Sequence, residues 1–326
     1  MKLLVTGGAG FIGSVVTEQL VAEGHDVVAL DSLKYGFAEA VTPPAQLVRG
    51  DILDEPLLAE LFRKERFDAV AHLAAEAFID DSVRDPGLFY RVNVCGGLNL
   101  LDAMVRAGVK RLIFSSTAAV YGQPETIPIP EDAPKHPCNS YGDSKLAFEH
   151  ALAWYQTAHG LRHISLRYFN ACGATERCGE SRKKETHLIP IALAAAVGAR
   201  NGLDLFGTDY DTPDGTCVRD YVHVADIARA HVLALEAVDR IEPTAYNLGN
   251  SEGYSNRQVI RAVEEVVGRA FEVRDAARRP GDPATLVADS SRARRELGWH
   301  AAFPELHRMV ETAWQWRRRH PGGYPS

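Results

Sequence analysis

Cysteine is scarce in this chain, and the cysteines present stand apart. Cys95, Cys138, Cys172, Cys178 and Cys217 include no C-x-x-C pair. Their number and scatter argue against a disulfide framework, a zinc site or a thiol redox motif. Long hydrophobic runs are missing too. The longest uncharged apolar stretch, residues 188–199, reaches about half the ~20 residues of a membrane helix, and Pro190 interrupts it. Glycines follow the first apolar residues, where a secretory leader would carry its apolar run. The expectation is a reduced, cytoplasmic, soluble protein with no membrane partner. Positive charge is not in excess, since 36 Lys and Arg against 43 Asp and Glu leave a net charge of −7. That argues against a general phosphate-backbone binder, so no nucleic-acid partner is expected, although a local basic patch can still hold a small anion. No internal repeat or low-complexity tract stands out.

What is present is an ordinary globular composition, 46% hydrophobic and 24% charged, over a length of 326 residues that suits about two domains. Short β-rich runs at residues 3–6, 26–30, 46–49, 69–73, 111–115 and 163–168 alternate with stretches of helical apolar spacing. Such alternation needs crossover connections, which give a parallel sheet covered on both faces. The expected fold is therefore α/β, a doubly wound parallel-sheet Rossmann domain over residues 1–171. A smaller C-terminal substrate-binding lobe follows over 172–326, with parts of it returning to the first domain. Within that lobe, residues 173–186 read as an exposed loop with the cluster Arg182-Lys183-Lys184-Glu185. Helices are expected at 188–200, 224–238, 255–267 and 304–319.

The strongest local signal is Leu3-Leu4-Val5-Thr6-Gly7-Gly8-Ala9-Gly10-Phe11-Ile12-Gly13, a strand running into glycines and then an amphipathic helix. Glycine permits a positive φ and lets a pyrophosphate approach the backbone. The helix N-terminus that follows offers N–H groups and partial positive charge to the anion. Asp31 closes the second strand, where a carboxylate accepts hydrogen bonds from the ribose hydroxyls and repels a 2′-phosphate. NAD is therefore expected rather than NADP.

The second signal is Ser140-Tyr141-Gly142-Asp143-Ser144-Lys145. Tyr141 and Lys145 are four apart and share a helix face. An ammonium close to a phenol lowers a pKa that starts near 10, which suits a general acid/base. Ser115-Ser116-Thr117 end a strand whose hydroxyls would face the same cleft.

In this order these motifs resemble the extended short-chain dehydrogenase/reductases. Arg167-Tyr168-Phe169-Asn170, Leu205-Phe206-Gly207, the run from Asp214 to Val224, Tyr246-Asn247-Leu248-Gly249 and Arg278-Arg279-Pro280-Gly281-Asp282 narrow the resemblance to the UDP-glucose 4-epimerase family. The resemblance covers essentially the whole chain. It implies that Gly7, Gly10, Phe11, Ile12, Gly13 and Asp31 hold NAD, with Asp51 and Ile52 at the adenine, and that Leu73, Ala74, Ala75 and Tyr168 line the cofactor. It implies Tyr141 as the base, assisted by Lys145 and Thr117, with Lys145 also on the nicotinamide ribose. Asn170, Leu188, Phe206, Arg219, Arg279 and Asp282 are the implied UDP-sugar contacts, together with Thr117 and Tyr141 at the sugar. Guanidinium suits that task because its fork matches phosphate oxygens.

Three positions depart from the family pattern. Thr117 stands where many members have serine, and its hydroxyl is expected to keep the role. His187 stands where some members have asparagine, and Leu286 lies near a position that screens bulk at the sugar's C2 substituent. No metal is expected. The run Asp209-Tyr210-Asp211-Thr212-Pro213-Asp214-Gly215 fails as a calcium loop because Pro213 replaces a ligand and the glycine comes one place late. His72, His163 and His223 read as hydrogen-bonded structural histidines. The implied activity is NAD-dependent 4-epimerisation of a UDP-hexose, UDP-glucose or UDP-galactose, through a transient 4-keto sugar. A 4-epimerase of another nucleotide sugar is the nearest alternative; a dehydratase or a non-catalytic NAD-binding regulator fits less well. The resemblance also suggests a homodimer built from helices around residues 88–105 and 145–154.

Overall fold

The computed structural model describes residues 1–182, 185–279 and 282–325. Lys183 and Lys184 of the charged loop, and Pro280 and Gly281 of the arginine motif, lie outside the described residues. One seven-stranded sheet organises the chain. It contains β1 (Lys2–Thr6), β2 (Asp26–Asp31), β3 (Gln46–Arg49), β4 (Ala69–His72), β5 (Arg111–Thr117), β6 (Arg162–Tyr168) and a final strand at Thr244–Leu248. The order is β3-β2-β1-β4-β5-β6 and then Thr244–Leu248, and every neighbouring pair is parallel. The chain leaves β1 for β2 on one side and returns to β4 on the other. That reversal opens a crevice at the carboxyl ends of β1 and β4, where open α/β sheets take their ligands.

Period-2 alternation assigns the strand residues to two cores. Leu3 and Val5 pack with Val15, Val16 and Leu20 of the Phe11–Ala22 helix and with Ile227, Ala230 and Ala234 of the Val224–Ala237 helix. On the other face, Leu4, Val28 and Phe114 meet Leu58, Leu61 and Phe62 of Glu55–Glu65, Leu100 and Met104 of Gly97–Ala107, and Phe148 of Ser140–His159. The helices Leu188–Ala196, Asn256–Val267 and Leu306–Arg319 enclose a third core around Leu193, Val263 and Met309.

The observed strands track the sequence reading with informative differences. β5 runs two residues past the β-rich run at 111–115 and ends at Thr117, in keeping with the hydroxyl-rich strand end expected there, with Ser116 and Thr117 paired to Arg167 and Tyr168 of β6. The Thr244–Leu248 strand is absent from the sequence reading; its Tyr-Asn pair breaks the apolar run, and pairing to β6 carries it. The helix expected over 188–200 stops at Ala196, shortly before Gly198 takes a φ of +77°. Among the described residues, no helix is long and apolar enough to cross a membrane.

Candidate active site

The glycine turn leaves no room for side chains at two positions. Gly7 has a φ of +71°, and a Cβ there would lie 2.7 Å from the Ala74 backbone nitrogen. A Cβ on Gly13 would stand 2.0 Å from the Gly7 carbonyl oxygen. Gly10 precedes the Phe11–Ala22 helix in extended conformation and supplies no side-chain cap, and the first turn carries no acidic residue, which leaves its N–H groups available to an anion. The cradle therefore fits a dinucleotide pyrophosphate. Asp31 Oδ2 accepts from Ala9 N at 3.0 Å and its Oδ1 from Leu33 N at 2.8 Å. Burial raises its pKa and these N–H donors oppose the rise. This carboxylate thus anchors the glycine turn itself, a task with no signature in the sequence.

On the β4 side, Leu73 N donates to Thr6 O at 3.0 Å and Ala74 N to Thr6 Oγ1 at 3.3 Å. Leu73, Ala74 and Ala75 are half-buried there. Asp51 is exposed, whereas Ile52 is packed into the core against its neighbours.

Asn139 starts the helix that carries Tyr141, its Oδ1 accepting from Gly142 N at 2.9 Å. A Cβ at Gly142 would lie 2.5 Å from Ala119 O, so the glycine lets this helix press on the turn that follows Thr117. The Thr117 hydroxyl thereby comes close enough to act on the Tyr141 phenol. Lys145 Nζ donates to Ser115 O at 2.9 Å and lies over the Phe114 ring. Burial pulls the Lys145 pKa down to about 7, with the Glu149 charge opposing. Burial also raises the Tyr141 phenol, while the Thr117 hydroxyl and the Arg182 charge pull it down. The sequence argument for a phenol lowered by Lys145 therefore needs amendment. Lys145 is engaged at Ser115, and the cation that acts on Tyr141 is Arg182.

Sequence reasoning also missed the support behind Tyr141. Asn93, on the π-helical turn Tyr90–Gly96, donates to Ser144 Oγ at 2.9 Å and to Glu76 O at 3.0 Å. Ser144 Oγ donates to the Tyr141 carbonyl at 2.8 Å. A polar residue in an otherwise apolar helical pattern is the only trace of this in the sequence. Arg167 is buried against Glu149, which also accepts from Ser116, and Tyr168 bonds Ser115.

In the C-terminal lobe, Arg219 sits on a short strand, Val218–Arg219, between Tyr254–Ser255 and Thr285–Leu286. Its Nη2 donates to Asp282 Oδ1 at 3.0 Å and its Nη1 to Val218 O at 2.9 Å. Leu286 is its register partner. Asn170 is exposed, and its backbone N–H donates to Asp220 O at 2.9 Å, next to Arg219. The Arg279 guanidinium stacks 4.1 Å from the centre of the Phe206 ring. Leu188 opens the Leu188–Ala196 helix and is half-buried. Its neighbour His187 bonds Glu180 Oε1 through Nδ1 at 2.6 Å, and Arg182 Nε reaches the same oxygen at 2.8 Å. With Glu185 these make a group of possible metal ligands, but the Arg182 guanidinium already neutralises Glu180.

Of the three histidines read as hydrogen-bonded, His72 pairs with Thr6 and His223 with Thr312 and Ala225. His163 is the exception, because both its ring nitrogens are buried without a partner.

Residues 3–249 match the family model described as NAD dependent epimerase/dehydratase family. The UDP-glucose 4-epimerase of Lacticaseibacillus casei is 44% identical, covering 99% of this chain and 99% of its own length. That of Azospirillum brasilense is 48% identical over 97% of this chain and 92% of its own. A crystal structure of UDP-glucose 4-epimerase from Bifidobacterium longum with NAD⁺ and UDP superposes with a TM-score of 0.95 at 37% identity, covering 99% of this chain and 100% of that one.

Proposed function

Since the chain belongs to the NAD dependent epimerase/dehydratase family, we propose that its site interconverts UDP-glucose and UDP-galactose by inversion at C4 of the hexose. The observation that carries this reading is the pairing of a cradle closed to side chains at Gly7 and Gly13, after β1, with the Thr117 and Tyr141 hydroxyls at the carboxyl end of β5, across β4 from it. Gly7, Gly10, Phe11, Ile12, Gly13 and Asp31 would hold NAD, with Asp51, Ile52, Leu73, Ala74, Ala75 and Tyr168 along it. NAD, when bound, would supply the hydride acceptor and donor for C4, so turnover would need no added reductant.

Tyr141 would remove the proton of the sugar 4-hydroxyl and return it to the 4-oxygen once the ketone has turned its other face toward the cofactor. Thr117 holds that hydroxyl in line, the Arg182 charge favours the phenolate, and Lys145, bonded to Ser115, orients the cofactor ribose. Asn170, Leu188, Phe206, Arg219, Arg279 and Asp282 grip the uridine diphosphate while the flat 4-keto sugar turns over. The division near residue 171 is part of this proposal: the first domain takes the cofactor and the lobe takes the nucleotide sugar. Trp154, on the Ser140–His159 helix, is 74% exposed, which favours a homodimer through that helix. We also place the protein in the cytoplasm.

The test is a panel of UDP-sugars incubated with purified protein, the products resolved by chromatography. Interconversion of UDP-glucose and UDP-galactose is expected. Turnover confined to N-acetylated or pentose sugars would move the substrate assignment, with Leu286 the first residue to vary.

A second expected result concerns the diphosphate. Hydrogen bonds from a charged group contribute roughly 1.5–3 kcal/mol, so Arg219→Ala and Arg279→Ala should each weaken UDP binding by about one to two decades in calorimetry. Arg219→Lys should recover only part, because it keeps the charge and loses the fork. Unchanged affinity in both alanine variants would make these arginines structural.

A further inference from the structure

Three segments touch at the glycine turn. On one side lies the strap after β2. Its Phe37 N donates to Ala9 O at 3.0 Å, and a Cβ on Gly36 would stand 2.8 Å from Ala9 O. On the other side lies the segment after β4, which approaches Gly7 so closely that a Cβ there would meet Ala74 N. The glycine turn thus forms the floor between two walls.

Those two walls are joined above it. Lys34 Nζ pairs with Glu76 Oε1, and the Tyr35 hydroxyl donates to Glu76 Oε2 at 3.0 Å. The Tyr35 ring meets Phe78 edge-on, with centroids 5.1 Å apart. The Glu76 side chain is 6% exposed while that of Lys34 is 47% exposed, so the acid is fixed and the lysine is the movable half. Glu76 is fixed from behind as well, its N–H bonded to Asn93 Oδ1 at 2.8 Å. The strap is aimed by an unusual backbone: Leu33 has a φ of +60°, in the left-handed region that a branched residue seldom adopts, and its N–H is tied to Asp31. A conformation this restricted persists only where the surroundings impose it.

We propose that Lys34 and Tyr35, closing on Glu76, form a clasp across the dinucleotide crevice that sets how slowly the cofactor leaves. This rests on the NAD reading above. A catalyst that regenerates its dinucleotide in place gains from never releasing it, and the crevice walls must part for a pyrophosphate seated on the glycine turn to escape. Parting them leaves the Glu76 carboxylate in a nearly closed site without its cation, which makes opening unfavourable.

The experiment loads wild type, Lys34→Met, Glu76→Gln and the reversal Lys34→Glu/Glu76→Lys with NADH. Each is diluted into excess NAD⁺, and the decay of bound-NADH fluorescence is followed. Lys34→Met keeps the aliphatic stem on a half-exposed side chain, so the fold is preserved. The clasp predicts release at least about tenfold faster in both single variants, about 1.4 kcal/mol of barrier, and substantial recovery of slow release in the reversal. Unchanged release in both singles, with wild type holding NADH, would overturn the clasp alone. Fast release in Lys34→Met but not in Glu76→Gln, with no rescue on reversal, would also overturn it, in favour of a lysine that contacts phosphate directly. Wild type that binds no dinucleotide would overturn the cofactor reading and the clasp with it.

Discussion

Tyr141→Phe is expected to fold, bind UDP as wild type does, and lose about 10²–10⁴-fold in turnover. The substitution removes one hydroxyl and keeps the ring, whose edge contact with Phe89 at 6.4 Å remains. What disappears is the oxygen on which the Thr117 hydroxyl and the Arg182 charge act. Burial raises the phenol pKa in the ligand-free site, so proton removal there depends on neighbours rather than on an intrinsically acidic group. The measurement is kcat for UDP-galactose conversion beside a calorimetric UDP titration of the same preparation. A rate near that of wild type, with unchanged pH dependence, would assign the proton transfer to another residue.

Mild acid should destabilise the protein through its buried histidines. Burial pulls His72 down to about 3, and His163, His223 and His231 to about 4, from an ordinary value of 6.5. Below pH 6.5 the unfolded chain binds protons that the native state refuses. Stability is therefore full above that pH and falls as pH drops toward 4, by about 1.4 kcal/mol per histidine per pH unit once the unfolded side chains are charged. Asp220 works in the opposite sense, because burial raises its carboxyl to about 7 against three backbone N–H donors, and it offsets about one histidine between pH 7 and 4. The other histidines still lower stability by on the order of a few kcal/mol between pH 6.5 and 5, offset in part by Asp31, Glu131, Glu185 and Asp226, whose carboxyls burial also raises; typical domain stability is about 5–15 kcal/mol.

Urea midpoints at pH 7, 6 and 5 should fall steeply. His163→Leu should flatten that dependence and raise the midpoint at pH 5, since it replaces two unpartnered buried nitrogens with apolar volume. A midpoint that holds steady from pH 7 to 5, or a variant with an unaltered slope, would refute the buried-neutral account.

Much of this architecture can be read in the sequence because it rests on local rules. β1 running into Gly7 and Gly13 announces itself through strand pattern and glycine spacing, and the structure shows why the side chains are excluded there. The helix of Tyr141 and Lys145 is legible from its four-residue spacing. What stayed hidden depends on long-range packing. The Thr244–Leu248 strand lies some eighty residues after its partner β6 and joins it at the sheet edge, where no local alternation marks it. The bonds of Asn93 to Ser144, of Glu149 to Arg167 and of Glu76 to Lys34 span 51, 18 and 42 residues. His163 looked like a satisfied core histidine because its sequence neighbours are apolar; only its surroundings in space reveal that both nitrogens lack partners.

The claim at the centre is that one site removes and returns the same hydride at C4. The most direct measurement incubates the purified protein with UDP-galactose deuterated at C4, in ordinary water and without added nucleotide, and follows the sugar by mass spectrometry and NMR. UDP-glucose should accumulate to equilibrium with the deuterium retained at C4. Loss of the label to solvent, or no conversion of the sugar at all, would contradict the account.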